Sequence, residues 1–308
     1  MKAMGVSGPD FMPRLFDVVE PIVAPDGVVV DVIAASINDF DRAAVRGRYV
    51  TATEQFAPIL LGRDFVGRVS AVGADVDYVD VGTYVAGAVA PQPTGQPGTF
   101  AEKVSVPARL LAPMPDGVDV VQAAAVGLAG VTAFHAVEAL GPHGLGHMVV
   151  HGPVCGAGGF ALQLAKARGA VVAVVTPQEQ VDLALDLGAD VVVPDGPDSA
   201  GAIQKVRSLF GGGVDTAVHV AGNGSVVTGV VRPGGRFTSV VDGSTLDGHE
   251  GFAPIDVAPS GHALVDLLFK VAAHRLQSRV HRTVSFDQLG DAIIARSTHD
   301  GGRTIVVR

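Results

Sequence analysis

Between Met148 and Gly243 the chain repeats one pattern: a short apolar run without polar alternation, then an amphipathic stretch. "MVVHG" opens the series, "AVVAVVT" (Ala170 to Thr176) follows, and "DVVVPD", "DTAVHVAG" and "GRFTSVVDG" continue it. A strand with one wet face alternates apolar and polar side chains, so uninterrupted Val and Ala runs predict strands buried on both faces. The stretches between them carry apolar residues at helical spacing, Ala161, Leu164 and Ala165 in one, Ile203, Val206 and Phe210 in another. Strand and helix in alternation predict a doubly wound parallel sheet, a Rossmann-like α/β domain.

The first hundred or so residues read differently. "GVVVDVIAASI" (Gly27 to Ile37) and "VGRVSAVG" (Val66 to Gly73) are strand signals, and "GTYVAGAVA" and "GTFAEKVSV" flank the Pro/Gly loop "PQPTGQP". Short strands with frequent glycine turns predict a small curved β-domain. After the α/β series, "GHALVDLLFKVAAHRL" places Leu264, Leu267, Leu268 and Val271 at helical spacing, and "GRTIVVR" closes the chain as a strand.

The stretch "HGPVCGAGGFALQLAKARGA" (His151 to Ala170) joins the first strand of the series to a helix expected after Gly159. Gly156-Ala157-Gly158-Gly159-Phe160-Ala161 fits G-x-G-x-x-A; counting back from the helix instead sets Pro153, Cys155 and Gly158 at the three fingerprint positions. In either register, amides near a helix start can receive the phosphate oxygens of a dinucleotide, and small residues allow close approach. The expected contacts are Gly152, Gly156, Ala157 and Gly158, with Gly222 in "HVAGNG" and Val240 and Val241 in "SVVDG" bordering the cofactor where later strands end. The second strand ends at Thr176 without an acid after it, and Thr176, Gln178 and Gln180 offer only neutral hydrogen bonds. An acid there would favour NAD, so its absence tilts the expectation to NADP(H). His151 reads as a loop-orienting hydrogen bonder and Cys155 as a small residue filling a tight loop.

Composition narrows the function. A net charge of -9 argues against general nucleic-acid binding, and a single cysteine excludes an intrachain disulfide and any Cys-rich zinc lobe. The basic cluster "RVHRTVSF" reads as a solvated face. The N-terminal stretch lacks an apolar signal core, and "VVQAAAVGLAGVTAFHAV" (Val120 to Val137) carries Gln122, Thr132 and His135, so it reads as a buried Ala-rich helix rather than a membrane span. A cytoplasmic protein is expected.

"NDFDRAAVRGRY" (Asn38 to Tyr49), "PILLGRDFVGRVSAVG" (Pro58 to Gly73), "VGTYVAG", "GTFAEKVSVP", "AAAVGLAGVTAFHA", the glycine loop, "LGADVVV", "GGVDTAVHVAG" and "VVRPGGRFTSV" follow one another in a distinctive order. In that order the chain resembles the zinc-independent quinone oxidoreductases of the medium-chain dehydrogenase/reductase superfamily, the group that includes zeta-crystallin. The resemblance implies a GroES-like catalytic domain in residues 1–122 and 261–308, a cofactor domain in residues 123–260, and a homodimer. It sets Asn38 and Arg63 at two positions that carry zinc ligands in the zinc enzymes, and apolar residues at the third. None of these can replace a thiolate or imidazole donor. It also implies Asn38, Asp41 and Tyr49 near the reactive cleft and Thr132 against the cofactor.

Asn38 could orient a carbonyl or the dihydronicotinamide, or cap a local turn. Asp41 could instead pair with Arg42, Arg46 or Arg48, and Arg63 with Asp64 or another acid. Tyr49 could donate a proton or hydrogen bond, or serve as a lid or packing residue. The expected activity is hydride transfer from NADPH to a quinone or activated alkene without a metal. Its alternatives are an enoyl-thioester or enone reductase, and a catalytically weak NADP-binding structural or redox-sensing protein.

Overall fold

The computed structural model describes residues 1–308 apart from 9, 49–57, 91–96, 197–198, 242–244 and 296–301. Tyr49 and most of the "PQPTGQP" loop lie outside the described residues. The chain forms two compact units, one of Met1–Val131, Ala258–Thr298 and Arg303–Arg308, the other of Thr132–Val257 with His299–Gly302.

The first unit begins with β1 (Lys2–Val6), β2 (Arg14–Asp17), β3 (Gly27–Ser36), α1 (Asp39–Ala44), β4 (Ile59–Leu60), β5 (Asp64–Val72), β6 (Tyr84–Ala88), β7 (Lys103–Pro107) and β8 (Leu111–Pro113). Helix α2 (Val120–Ala139) then runs into the residues of the second unit. Val28, Val30 and Val32 of β3 pack with Phe65, Val69, Val85, Val104 and Val106 from the neighbouring strands, so a β-branched core fills the curved sheet. By length and composition alone α2 is apolar enough to cross a membrane, but its side chains are mostly buried within the fold. The helix breaks at Gly127, whose φ of 1° and ψ of -123° are not helical.

The second unit contains β9 (His147–His151), α3 (Ala157–Ala167), β10 (Val171–Thr176), α4 (Val181–Asp186), β11 (Val191–Pro194), α5 (Ala200–Leu209), β12 (Val214–His219), α6 (Ser225–Val230) and β13 (Val231–Ser239). The strands lie in the order β11-β10-β9-β12-β13, and every pairing is parallel. All but the first residue of β10 are buried, as its unalternated Val run requires. Helix α3 starts at Ala157, earlier than expected, because Gly156 serves as its N-cap and both glycines after Ala157 continue the helix.

The chain then returns to the first unit through α7 (Gly261–Ala272), β14 (Val280–Ser285), α8 (Leu289–Ile294) and β15 (Arg303–Val307). Ser260 caps α7 by accepting a hydrogen bond from the Ala263 amide, and Leu264, Leu267, Leu268 and Val271 form its buried stripe. Strand β15 pairs antiparallel with β3 and parallel with β14, giving the sheet order β14-β15-β3-β5-β6-β8, with β7 also on β3. This return brings Arg303 beside the end of β3.

Candidate functional site

In the first unit, β3 ends at Ser36 and β5 begins at Asp64, and these antiparallel neighbours bring both side chains into a fully buried position. Asp64 Oδ1 accepts from the Ser36 amide at 2.7 Å, and Oδ2 accepts from the Ser36 hydroxyl at 2.6 Å, Asn38 Nδ2 at 3.0 Å and the Leu128 amide at 3.0 Å. The last of these is an amide of α2 just past the break at Gly127, so the carboxylate caps the second half of that helix. A Cβ on Gly127 would stand 2.5 Å from Asp64 Oδ2, which is why the break needs glycine. Arg303 donates to Asn38 Oδ1 and the Ser36 hydroxyl, each at 2.5 Å, and lies 3.9 Å from Asp64 Oδ2. A carboxylate this deep is tolerable because it is both paired and hydrogen-bonded.

Asn38 is thus held at both ends of its amide, by Arg303 at the oxygen and by Asp64 and the Ser36 carbonyl at the nitrogen. Asp41, one turn along, is also fully buried. Its Oδ1 accepts from the Gly62 amide at 2.7 Å and its Oδ2 from the Asn38 amide at 2.8 Å. Burial raises Asp41 to about 6 despite these two bonds. It therefore stitches α1 to the Gly62 turn, while Arg42 donates instead to the carbonyls of Ile293 and Ala295. The Arg63 guanidinium stacks on Phe40 at 3.7 Å and donates to the carbonyls of Leu60 and Gly62.

In the second unit, the glycine loop runs from β9 to α3. Gly152 takes a φ of +119°, and a Cβ there would meet the Ala221 amide at 2.7 Å. A Cβ on Gly158 would stand 2.3 Å from the Pro153 carbonyl oxygen, so Gly158 does the close-packing work of the third fingerprint glycine. The geometry therefore fits the register of Pro153, Cys155 and Gly158. Ala157 and Gly158 lie at the first two positions of α3, where the helix ladder gives their amides no carbonyl partner; the Gly159 amide already donates to Gly156. The Val154 amide is engaged otherwise: it donates to Gln180 Oε1 at 2.7 Å, so buried Gln180 pins the loop.

The carboxyl ends of the parallel strands gather a polar group. His151 Nε2 lies 3.1 Å from Asp195 Oδ2, and the His151 ring stacks on that of His219 at 5.2 Å. His219 Nδ1 meets the Ser239 hydroxyl at 3.1 Å. Burial, then the neighbouring His151, push His219 down to about 4, and burial likewise lowers His151 against the pull of Asp195. Gly222, with a φ of +94°, lies over the His151 ring, and Val240 donates its amide to the His219 carbonyl. Exposed Val241 follows. Thr176 ends β10 with its hydroxyl buried and without a partner, whereas Gln178 is exposed beyond it.

The geometry brings together Gly152, Gly156, Ala157, Gly158, Gly222, Val240 and Val241 at this edge, and Asn38 with Asp41 in the other unit. Thr132 is a buried residue of α2. Arg303, Asp195 and His219 escaped the sequence reading, which named Asp64 only as a partner for Arg63. Only Asp195 carried a local signal, as the acid directly after the third strand of the series. A loop that admits a dinucleotide phosphate needs what stands here: a positive-φ glycine after the strand, first-turn amides, and a helix start packed closely through Gly158 and Gly159. These residues fit NAD(P)(H).

Two family models match the chain, "Alcohol dehydrogenase GroES-like domain" over residues 24–116 and "Zinc-binding dehydrogenase" over residues 156–252. The chain is 34% identical over 229 residues to a mycocerosic acid synthase-like polyketide synthase of Mycobacterium tuberculosis, covering 73% of this chain and 10% of that protein. It is 30% identical over 245 residues to the 2-methylene-furan-3-one reductase of Solanum lycopersicum, covering 75% of this chain and 62% of that enzyme. In both relatives the chain thus spans less than two thirds of the length. The quinone oxidoreductase from Coxiella burnetii superposes with a TM-score of 0.81 at 22% identity, covering 100% of this chain and 99% of that one.

The zinc in the second family description does not fit these residues. The amide of Asn38 is spent on Arg303 and Asp64, Arg63 is a cation stacked on an aromatic ring, and among the described residues no group of three or more His, Cys, Asp or Glu could hold a metal. The chain has the fold of the medium-chain dehydrogenase/reductase oxidoreductases, a GroES-like domain with a Rossmann-like domain that binds NAD(P)(H).

Proposed function

We propose that the protein is a metal-independent reductase of the quinone oxidoreductase type that transfers hydride from NADPH to a quinone or an alkene conjugated to a carbonyl. The reading rests on one observation above the others. Asn38, matched to a zinc-ligand position, is bound into the Ser36, Asp64 and Arg303 network, and the chain's other unit has a fold built for a dinucleotide. The bound nicotinamide supplies the hydride. The protein's part is placement and stabilisation of charge. Asn38 and Asp41 act as positioning residues: the first holds Arg303 and Asp64 together, and the second fixes the Gly62 turn. Tyr49 is the proposed proton or hydrogen-bond donor to the reduced substrate.

An activated alkene is favoured over a quinone because the furanone relative is named for a substrate with an alkene beside a ketone. The test is a panel of small quinones and enones with NADPH and chelated protein, following loss of the reduced nicotinamide absorbance. Turnover of at least one enone, with Tyr49→Phe slowed at least about tenfold, roughly 1.4 kcal/mol in the barrier, is expected. No turnover with any member overturns the proposal.

A further inference from the structure

The acid that reads the adenosine ribose in a Rossmann-like domain stands at the end of the second strand. Here that strand, β10, ends at Thr176 and is followed by Pro177 and Gln178. Yet a carboxylate arrives at this place from the neighbouring strand. Asp195 follows β11 directly and donates its amide to the Thr176 carbonyl at 2.8 Å, which seats it at the carboxyl end of β10. Its Oδ1 accepts from the Ser199 hydroxyl at 3.3 Å and its Oδ2 lies 3.1 Å from His151 Nε2, with 21% of the side chain exposed. Gly222 faces the same group. A Cβ there would lie 3.2 Å from His151 Cε1 and 3.9 Å from Asp195 Oδ2, so a side chain at this position would crowd the pair.

We propose that Asp195 is the specificity-determining residue for the adenosine ribose: its carboxylate accepts from a free 2'-hydroxyl and repels a 2'-phosphate, restraining the preference for NADPH. The proposal rests on nucleotide binding at this sheet edge. The charge is not cancelled locally. His151 is fully buried and burial disfavours its cationic form. The exposed residues next to Thr176 are Gln178 and Glu179, one neutral and one acidic. The ion-paired cations of this unit lie on other elements, Lys166 with Asp190, Arg168 with Glu138 and Arg232 with Asp215. Among the described residues Asp195 has no ion pair with a guanidinium or ammonium, so a dianionic phosphate would meet its carboxylate while a hydroxyl would find an acceptor.

The experiment is a pair of fluorescence titrations of the full chain with NADPH and NADH, for wild type, Asp195→Asn and Ser199→Ala. Asparagine keeps an acceptor for His151 and removes the charge. The ratio of NADPH to NADH affinity is expected to rise about tenfold in Asp195→Asn and to stay at the wild-type value in Ser199→Ala. Added salt should raise the wild-type ratio by screening the carboxylate and leave the Asp195→Asn ratio unmoved. That salt series decides the matter if Asp195→Asn fails to fold, since a wild-type ratio indifferent to salt overturns the proposal. Asp195→Asn binding both nucleotides at the wild-type ratio also overturns it. A wild type that binds neither nucleotide overturns the nucleotide-binding reading beneath it as well.

Discussion

Replacing Asp41 with asparagine should change stability in a way that depends steeply on pH. The folded carboxyl sits at about 6 against an ordinary value of 3.8, with burial as the dominant cause. The folded state therefore holds the proton more tightly than the unfolded chain. The stabilisation from this group is complete below 3.8 and is lost as pH rises to about 6. At about 1.36 kcal/mol per pH unit, the span from 3.8 to about 6 amounts to about 3 kcal/mol. Asparagine cannot ionise, but its single oxygen serves only one of the amides of Gly62 and Asn38, so relative to the protonated carboxyl it costs roughly 1–3 kcal/mol, a loss that does not vary with pH.

The variant should thus be clearly weaker than wild type near pH 4 and close to it, or stronger, above about pH 7. The assay is urea unfolding of both proteins across that range, reading the difference between them. Wild type alone would mislead, because His219, held at about 4, destabilises the fold as pH falls through the same window. Asp41→Asn removes one slope and leaves the other untouched. A stability gap constant to within about 1 kcal/mol from pH 4 to 7 would refute the reasoning, since Asp41 would then ionise like an exposed carboxyl.

Two further outcomes follow from backbone geometry and a third from the side chain of Cys155. Gly158→Val drives a side chain into the Pro153 carbonyl, so about 1–3 kcal/mol of overpacking strain should appear in unfolding, with NADPH binding weakened strongly in titrations of the folded fraction. Gly127→Ala puts a Cβ against Asp64 and should cost at least as much, read as a lower Tm, because the carboxylate that caps α2 cannot retreat from its four bonds. Cys155→Ser should keep near-native turnover; a folded, NADPH-binding serine variant without turnover would make the thiol part of the chemistry.

Local periodicity carried most of the fold. The unalternated runs of β9, β10 and β12 named a parallel sheet, and the four buried residues of α7 stood at the expected spacing. The glycine loop was legible as a tight strand-to-helix turn, but its register was not, since that depends on Gly158 meeting Pro153 in space. The polar network of the first unit was the hardest to see. Asn38 was noticed, yet its partner Arg303 lies 265 residues away and reaches it only because β15 returns to β3. Asp195 was overlooked because the ribose acid was sought after the second strand alone. A neighbouring parallel strand can deliver the same group one register across. Gln180 looked like a ribose contact from its position and turned out to hold the Val154 amide, a pairing set by the turn after β10.

The most direct measurement of the central claim is the fate of the hydride. Chelated, zinc-free protein is given NADPH deuterated at the transferable position and an enone it accepts, and the product is analysed by mass spectrometry. The account expects one carbon-bound deuterium per product molecule, at the carbon β to the carbonyl, with turnover unchanged by chelation. A product without deuterium, or activity that disappears on chelation and returns with zinc, would contradict it.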